Sequence, residues 1–116
     1  MLQKEMAVAL RPYIAERLIR SSDWMLLCQL AVEAEYSGRI QVSVSGMAGQ
    51  LGMNRVTASR GLKRLKHLDL IRVGRIGIGG FFYMVNPELF YAGADKQRLM
   101  RSYLALEGPQ QALQAA

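Results

Sequence analysis

The chain has 116 residues, 51% of them hydrophobic. A chain of this length buries roughly two-thirds of its unfolded surface, which is enough for one domain with a core. The formal net charge is +6. All of it lies in residues 54–76, where seven residues are basic and only Asp69 is acidic, while the rest of the chain holds eight basic and eight acidic residues. A concentration this sharp favours a polyanionic partner over charge that serves only solubility.

Several classes of protein are disfavoured. The single cysteine, Cys28, excludes an intramolecular disulfide and a multi-cysteine metal site. One histidine, no cluster of acids with a nucleophile and no metal-ligand spacing argue against an enzyme, and no cofactor or small-molecule ligand is indicated. The apolar run from Trp24 to Val32 is too short to span a bilayer, and no secretory signal is visible. The sequence therefore predicts a soluble, cytoplasmic protein without a membrane partner.

Two helical segments open the chain. Residues 1–20 show apolar residues at helical spacing, but Pro12 predicts a kink or a break there, and an extended conformation near residues 7–10 stays open. A second helix is predicted from Asp23 to Tyr36, with an N-cap in Ser21-Ser22-Asp23 and a left-handed end at Gly38. Because this helix is apolar around much of its circumference, we expect it to be the buried central support.

The middle of the chain carries the most informative pattern. A short strand is predicted over Ile40–Val44, and Ser45 is expected to cap a brief helix that ends near Leu51. After a turn at Gly52, a helix is predicted over residues 54–68, with Asn54 as its N-cap. Its apolar residues recur at helical spacing, so one face packs on a core and the other presents polar and basic side chains. The inward residues are Ala58, Leu62, Leu65 and Leu68.

The last third predicts a hairpin and further helix. Two strands, residues 70–76 and 81–85, flank the glycine-rich tip 77–80, and Arg72 and Arg75 are predicted to lie close to that tip. Asn86-Pro87 predicts the start of one helical turn through Phe90. Asp95 is expected to cap a final helix, residues 96–106, which Gly108-Pro109 stops.

This order of elements is that of a winged helix-turn-helix domain, mainly α with a small β-hairpin wing. We predict an N-terminal helical segment at 1–20, the winged domain at 21–93, a C-terminal helix at 94–108 and a flexible tail at 109–116. The stretch Leu-Gly-Met-Asn-Arg-Val-Thr-Ala-Ser-Arg, followed by Leu-Lys-Arg-Leu and Leu-Ile, resembles the recognition segment of MarR-type regulators. The longer stretch 42–93 resembles the RepL-type plasmid replication and maintenance proteins. Two departures are Asp69, where glycine is common, and Gly61, where a larger residue is usual and close packing or a looser helix is implied.

The resemblance implies a set of DNA contacts. Asn54 and the helix N-terminus would bind a phosphate, Arg60 would read guanine, and Lys63 and Arg64 would bind the backbone. Arg75 would reach the minor groove or its flanking phosphates. The full predicted set of DNA-binding residues is Ser45, Asn54, Arg55, Val56, Thr57, Ser59, Arg60, Lys63, Arg64, Arg72 and Arg75.

Together these patterns predict a sequence-specific double-stranded DNA-binding protein. The leading interpretation is a transcriptional regulator, a repressor because no acidic activating segment is visible, that reads the major groove with residues 54–68 and flanking DNA with the wing, 72–83. A plasmid replication or maintenance protein that binds origin repeats, and a winged helix used for protein–protein contact, remain alternatives. We also expect a homodimer formed through the C-terminal helix, at Leu99, Tyr103 and Leu106.

Overall fold

The computed structural model describes residues 19–34 and 36–108. Most of the predicted N-terminal segment and the whole predicted tail lie outside the described residues. None of the helices within these two ranges is long and apolar enough to cross a membrane. The elements are α1 (Ser21–Glu33), α2 (Val44–Leu51), α3 (Arg55–His67), β1 (Ile71–Ile76), β2 (Gly80–Val85), α4 (Pro87–Phe90) and α5 (Gly93–Leu104).

The first three helices pack around one core. α1 is the central support, as predicted, since Leu26, Leu27 and Leu30 on it are completely buried. α2 and α3 cover it from one side, and the predicted inward residues of α3 are buried or, at Leu68, half-buried. The buried residues that α2 and α3 contribute are Met47, Ala48, Ala58, Leu62 and Leu65.

The wing is covered on both faces. β1 and β2 pair antiparallel, with Ile71 opposite Val85 and Ile76 opposite Gly80. Successive side chains on a strand point to opposite faces. Tyr83 and its neighbours on one face join the helical core, whereas Phe82 on the other face joins a second cluster with Met84 and Tyr103. The predicted winged helix-turn-helix architecture is therefore confirmed, with an additional helix, α5, on the outer face of the wing.

That second cluster corrects the predicted dimer surface. Leu99 and Tyr103 are 2% and 1% exposed within the single chain, and half-buried Leu106 packs on the same cluster. Tyr103 and Leu106 pack on the outer face of the wing, and Leu99 lines a small pocket with Gly38 and Met84. Leu99 and Tyr103 therefore leave almost no surface exposed for a second subunit.

Two local predictions about the segment before α3 are wrong. Residues 40–44 do not form a strand: Ile40 makes a single bridge to Tyr83, and α2 already begins at Val44. Its cap is Ser43, whose hydroxyl accepts from the Gly46 N–H at 2.9 Å, rather than Ser45. Side-chain capping at Ser43 satisfies a free donor of the first turn and favours the helix over continued extension.

The ends of two helices also differ from the predictions. α1 begins at Ser21 after Arg20, whose N–H donates to Asp23, and it ends at Glu33, with Ala34 extended. Gly38 is left-handed (φ +81°) but lies in the following loop instead of ending the helix. α5 begins at Gly93, so Asp95 lies in its first turn and does not cap it.

Candidate nucleic-acid interface

The turn between α2 and α3 sets the direction of α3. Gly52 adopts a left-handed conformation (φ +66°), which glycine reaches without steric cost. Asn54 then caps α3 as predicted: its Oδ1 accepts from the Val56 N–H at 2.7 Å. The cap fixes the start of α3 at Arg55, and the N-terminal turn of α3 is exposed to solvent.

The outward face of α3 presents most of the predicted contact residues together. Arg55, Thr57, Arg60 and Lys63 are exposed, and Val56 is 54% exposed although apolar. Ser59 is half-buried and lines, with Val44, a shallow groove beside these side chains. Ser45 is exposed in the first turn of α2.

Arg64, although predicted as a phosphate contact, is held inside the domain. Its Nε and Nη2 donate to the two carboxylate oxygens of Asp23, each at 2.8 Å. Asp23 is fully buried and also accepts from the Arg20 N–H at 3.0 Å. The hydrogen bond to Asp23 raises the pKa of Arg64 above its ordinary value, against the opposing effect of burial. This bidentate pair joins α1 to α3, so Arg64 fixes the position of α3 against α1.

Gly61 explains how closely α1 and α3 approach. A Cβ atom on Gly61 would lie 2.5 Å from Leu26 Cδ1 and 2.8 Å from Asp23 Oδ1. Real Cβ atoms essentially never come so near another heavy atom. The structure therefore supports close packing at Gly61 and not a looser helix.

Arg72 lies at the base of the wing rather than near its tip, opposite Met84. Its Nε and Nη2 donate to Asp69 at 2.8 and 3.0 Å, and its Nη1 donates to the Tyr103 and Leu106 carbonyl oxygens at 3.3 and 3.1 Å. The guanidinium also stacks 4.6 Å from the centre of the Tyr103 ring. Arg72 therefore binds the C-terminal end of α5 to the wing.

Asp69 receives this network from a left-handed backbone conformation (φ +58°), which agrees with its position where glycine is common. Tyr103 donates its hydroxyl to Asp69 Oδ1 at 2.8 Å and contacts the Asp69 carbonyl oxygen at 3.0 Å. Burial alone would raise the pKa of Asp69, but hydrogen bonds from Arg72 and Tyr103 outweigh it and hold this pKa below its ordinary value. Burial and the neighbouring carboxylate raise the pKa of Tyr103.

The inner face of the wing continues the surface of α3. Lys63 and Lys66 line a groove whose wing side is formed by Val73 and Tyr83. Arg75 follows Val73 on the same face of β1 and is exposed. Its partner across the hairpin is Phe81, which is 46% exposed and meets the Tyr83 ring edge-on at 5.6 Å.

The basic window thus divides into two groups. Within the described part of the chain, Arg64 and Arg72 are paired with carboxylates. The other five basic residues of the window form no salt bridge with any residue that the structure describes, and all five are exposed. They lie along α3 and the inner face of the wing: Arg55, Arg60, Lys63, Lys66 and Arg75.

Sequence reasoning left three residues of this region out of the predicted site. Lys66 was recognisable, since it follows Lys63 by three residues on the same helix and such residues are neighbours. Phe81 had no signal beyond its place in a strand. Asp23 could not be found from the sequence because it is 41 residues from its partner Arg64.

A comparison with known protein families identifies the family of this domain. The Crp-like helix-turn-helix domain matches residues 23–80 of this 116-residue chain, which is half of it. The chain belongs to the family of Crp-like helix-turn-helix domains. The match runs from α1 to the first residue of β2, so it contains α3 and all five exposed basic residues. No curated protein and no solved structure matches this chain.

Membership accounts for the geometry. A helix-turn-helix domain binds DNA by placing its second helix, here α3, in the major groove. The exposed, basic face of α3 and the buried Ala58, Leu62 and Leu65 on its other face suit that placement. The Crp-like domain is therefore a DNA-binding winged helix-turn-helix.

Proposed function

We propose that the protein is a sequence-specific transcriptional regulator, acting as a repressor, that binds double-stranded DNA through α3 and the wing. One observation carries the proposal. The two arginines of the basic window that face the domain are neutralised by buried or half-buried carboxylates, whereas the five remaining basic side chains are exposed along α3 and on the adjoining face of the wing. A surface of this kind matches the phosphate backbone on either side of a groove.

The proposed contacts follow from position on α3. Arg60 lies on the exposed face in the middle of α3 and would donate two hydrogen bonds to guanine, while the Val56 and Thr57 methyl groups would meet thymine methyls. Lys63 and Lys66, three and six residues further along α3 and beside the wing, would bind phosphates. The remaining proposed contacts are Ser45, Asn54, Arg55, Ser59 and Arg75.

Arg64 and Arg72 are left out of the proposed contacts. Each guanidinium already donates to both oxygens of one carboxylate. If Arg64 or Arg72 bound a phosphate instead, its carboxylate would lose this partner. Their proposed role is to hold α3 and the wing in position.

Salt dependence tests this assignment. Four charged phosphate contacts, from Arg55, Lys63, Lys66 and Arg75, predict that log K for one chain on one half-site falls against log salt with a slope of about −3.6, so affinity falls about 150-fold between 50 and 200 mM salt. The measurement is fluorescence anisotropy of the full chain on a labelled duplex. A slope of about −5.4 would mean that Arg64 and Arg72 also bind phosphates. A slope near zero would contradict DNA binding and favour a protein partner.

The target decides the biological role. We propose that two chains bind two half-sites about one helical turn apart, which in vitro selection from random duplexes would reveal as an inverted repeat. Mapping the selected sequence to promoters would support the repressor. Recovery of tandem origin repeats would instead support the plasmid replication or maintenance role implied by the RepL-type resemblance.

A further inference from the structure

The tip of the wing projects an apolar side chain into solvent. The strands end at the Ile76–Gly80 pair, and the turn is Gly77, Ile78 and Gly79. Both glycines are left-handed (φ +58° and +79°), and an added Cβ on either would meet no other atom within 4 Å. Ile78 is fully exposed, so the tip stands clear of every other residue that the structure describes.

Isoleucine is an unusual choice for this turn. Tight turns are dominated by Gly, Asn, Asp, Ser and Pro, each of which helps the backbone bend or stay solvated. The glycines already supply the positive φ angles, and Ile78 buries none of its side chain within the domain. An apolar side chain exposed to water in this way is stabilised when a partner covers it.

The surroundings of the tip indicate what that partner is. Residues 70–85 contain no acidic side chain, and Arg75 is exposed two residues before the turn. Arg75 and Phe81 form the outer end of the wing face that continues from α3. A partner that suits these features carries negative charge on its outside and apolar groups inside, and it lies within reach of the surface that α3 and the wing share. Duplex DNA, with charged phosphates and flat apolar base stacks, meets both conditions.

We propose that Ile78 is a wedge that enters between two base pairs from the minor groove and kinks the DNA. This inference rests on the proposed function, since α3 must first place the wing over the duplex. Apolar wedges of this kind kink DNA by about 20–90°. Arg75 holds the phosphates beside the opened step, and Phe81 covers its sugar edge.

A wedge also makes the wing selective without hydrogen bonds to bases. Pyrimidine–purine steps such as TA and CA unstack most easily. The binding site therefore contains such a step at a constant distance from the motif read by α3, and Ile78 is the residue that selects it.

The experiment uses the full chain and the tightest duplex recovered from a random library. Affinity is measured by anisotropy, and the bend is measured by energy transfer between dyes at the two ends of the duplex. Three variants are compared with the wild type: Ile78→Ala removes the wedge, Ile78→Leu keeps an apolar wedge, and Val32→Ala truncates an exposed apolar residue on α1. Because both positions are exposed, circular dichroism should show an unchanged fold.

We expect the wild type, Ile78→Leu and Val32→Ala to bend the duplex by at least about 20°. Ile78→Ala should lose most of the bend and bind several-fold more weakly, and library selection with it should no longer enrich the pyrimidine–purine step. Tight binding by the wild type without a bend, or an equal bend with Ile78→Ala, overturns the wedge and leaves the proposed function standing. Absence of any binding to duplex DNA would refute both.

Discussion

The packing of α1 against α3 at Gly61 makes a substitution that usually stabilises a helix destabilising here. Replacing glycine by alanine inside a helix gains about 1 kcal/mol from helix propensity. At Gly61, however, the new methyl group would lie 2.5 Å from Leu26 Cδ1 and 2.8 Å from Asp23 Oδ1. We therefore predict that Gly61→Ala lowers the free energy of unfolding.

The size of the loss follows from which neighbours are able to move. Overpacking a core by one methyl group costs about 1–3 kcal/mol. Leu26 is completely buried, and the Asp23 carboxylate is fixed by Arg64 and by the Arg20 N–H. With both neighbours held, the cost lies toward the upper end of that range and exceeds the propensity gain. The net expected loss is about 1–2 kcal/mol.

Gly49 provides the matched control. It lies inside α2, it is exposed, and an added Cβ would meet nothing within 4 Å. Gly49→Ala should therefore keep the propensity gain and stabilise the protein by about 0.5–1 kcal/mol. Urea unfolding of each variant, followed by circular dichroism at 222 nm and by the fluorescence of the single tryptophan, measures both changes.

The two alanine variants should move in opposite directions and differ by about 2 kcal/mol. If Gly61→Ala is as stabilising as Gly49→Ala, α1 and α3 are not held at the separation seen in the structure. The account of Asp23 and Arg64 as the pair that positions α3 would then be refuted as well.

Three further predictions concern charge. Arg60→Ala should cost about 1–3 kcal/mol of binding on the selected duplex and far less on random DNA, whereas Lys63→Ala should weaken both similarly; anisotropy on the two duplexes distinguishes them, and equal losses for Arg60→Ala would make it a phosphate contact. Asp23→Ala should lower the free energy of unfolding by about 2–3 kcal/mol. This is less than the usual loss of about 3–5 kcal/mol for a broken buried pair, because Arg64 keeps 28% of its side chain exposed to water. Urea unfolding measures the loss, and a value under about 0.5 kcal/mol would contradict the role of Asp23 in joining α1 to α3. The folded state lowers the pKa of Asp69, so its ionised carboxylate stabilises the fold fully above the unfolded carboxylate pKa of about 3.9, and this stabilisation is lost as the pH falls through the folded pKa. The difference in the free energy of unfolding between the wild type and Asp69→Asn should therefore be constant above about pH 5 and shrink toward pH 3. A difference that grows on acidification would contradict the pairing of Asp69 with Arg72.

Local sequence patterns were sufficient to predict α3 and the wing. Asn54 caps the residues next to it, and the spacing of Ala58, Leu62 and Leu65 requires only that one face of the helix be covered. The hairpin needs two apolar strands and left-handed glycines at its turn, and both are contiguous in the chain. Features that depend on a few neighbouring residues can be predicted from a sequence because their partners are present in it side by side.

Competition between local signals was harder to judge. Residues 40–44 alternate like a strand, yet only Ile40 pairs with β2, and the hydroxyl of Ser43 starts a helix instead. Asp95 has a side chain suited to capping, yet α5 begins two residues earlier at Gly93. In each case two local conformations are both reasonable, and the pattern of residue types does not show which of them forms.

The sequence by itself determined that a basic helix and wing would face a polyanion, because charge and periodicity are properties of the chain. Only the tertiary structure decided which charges are available, since Arg64 and Arg72 look like the other basic residues until Asp23 and Asp69 are brought against them. It also decided that the apolar stripe of α5 covers the wing, because an amphipathic helix contains no record of which surface it packs on. Long-range pairing reduced seven candidate cations to five.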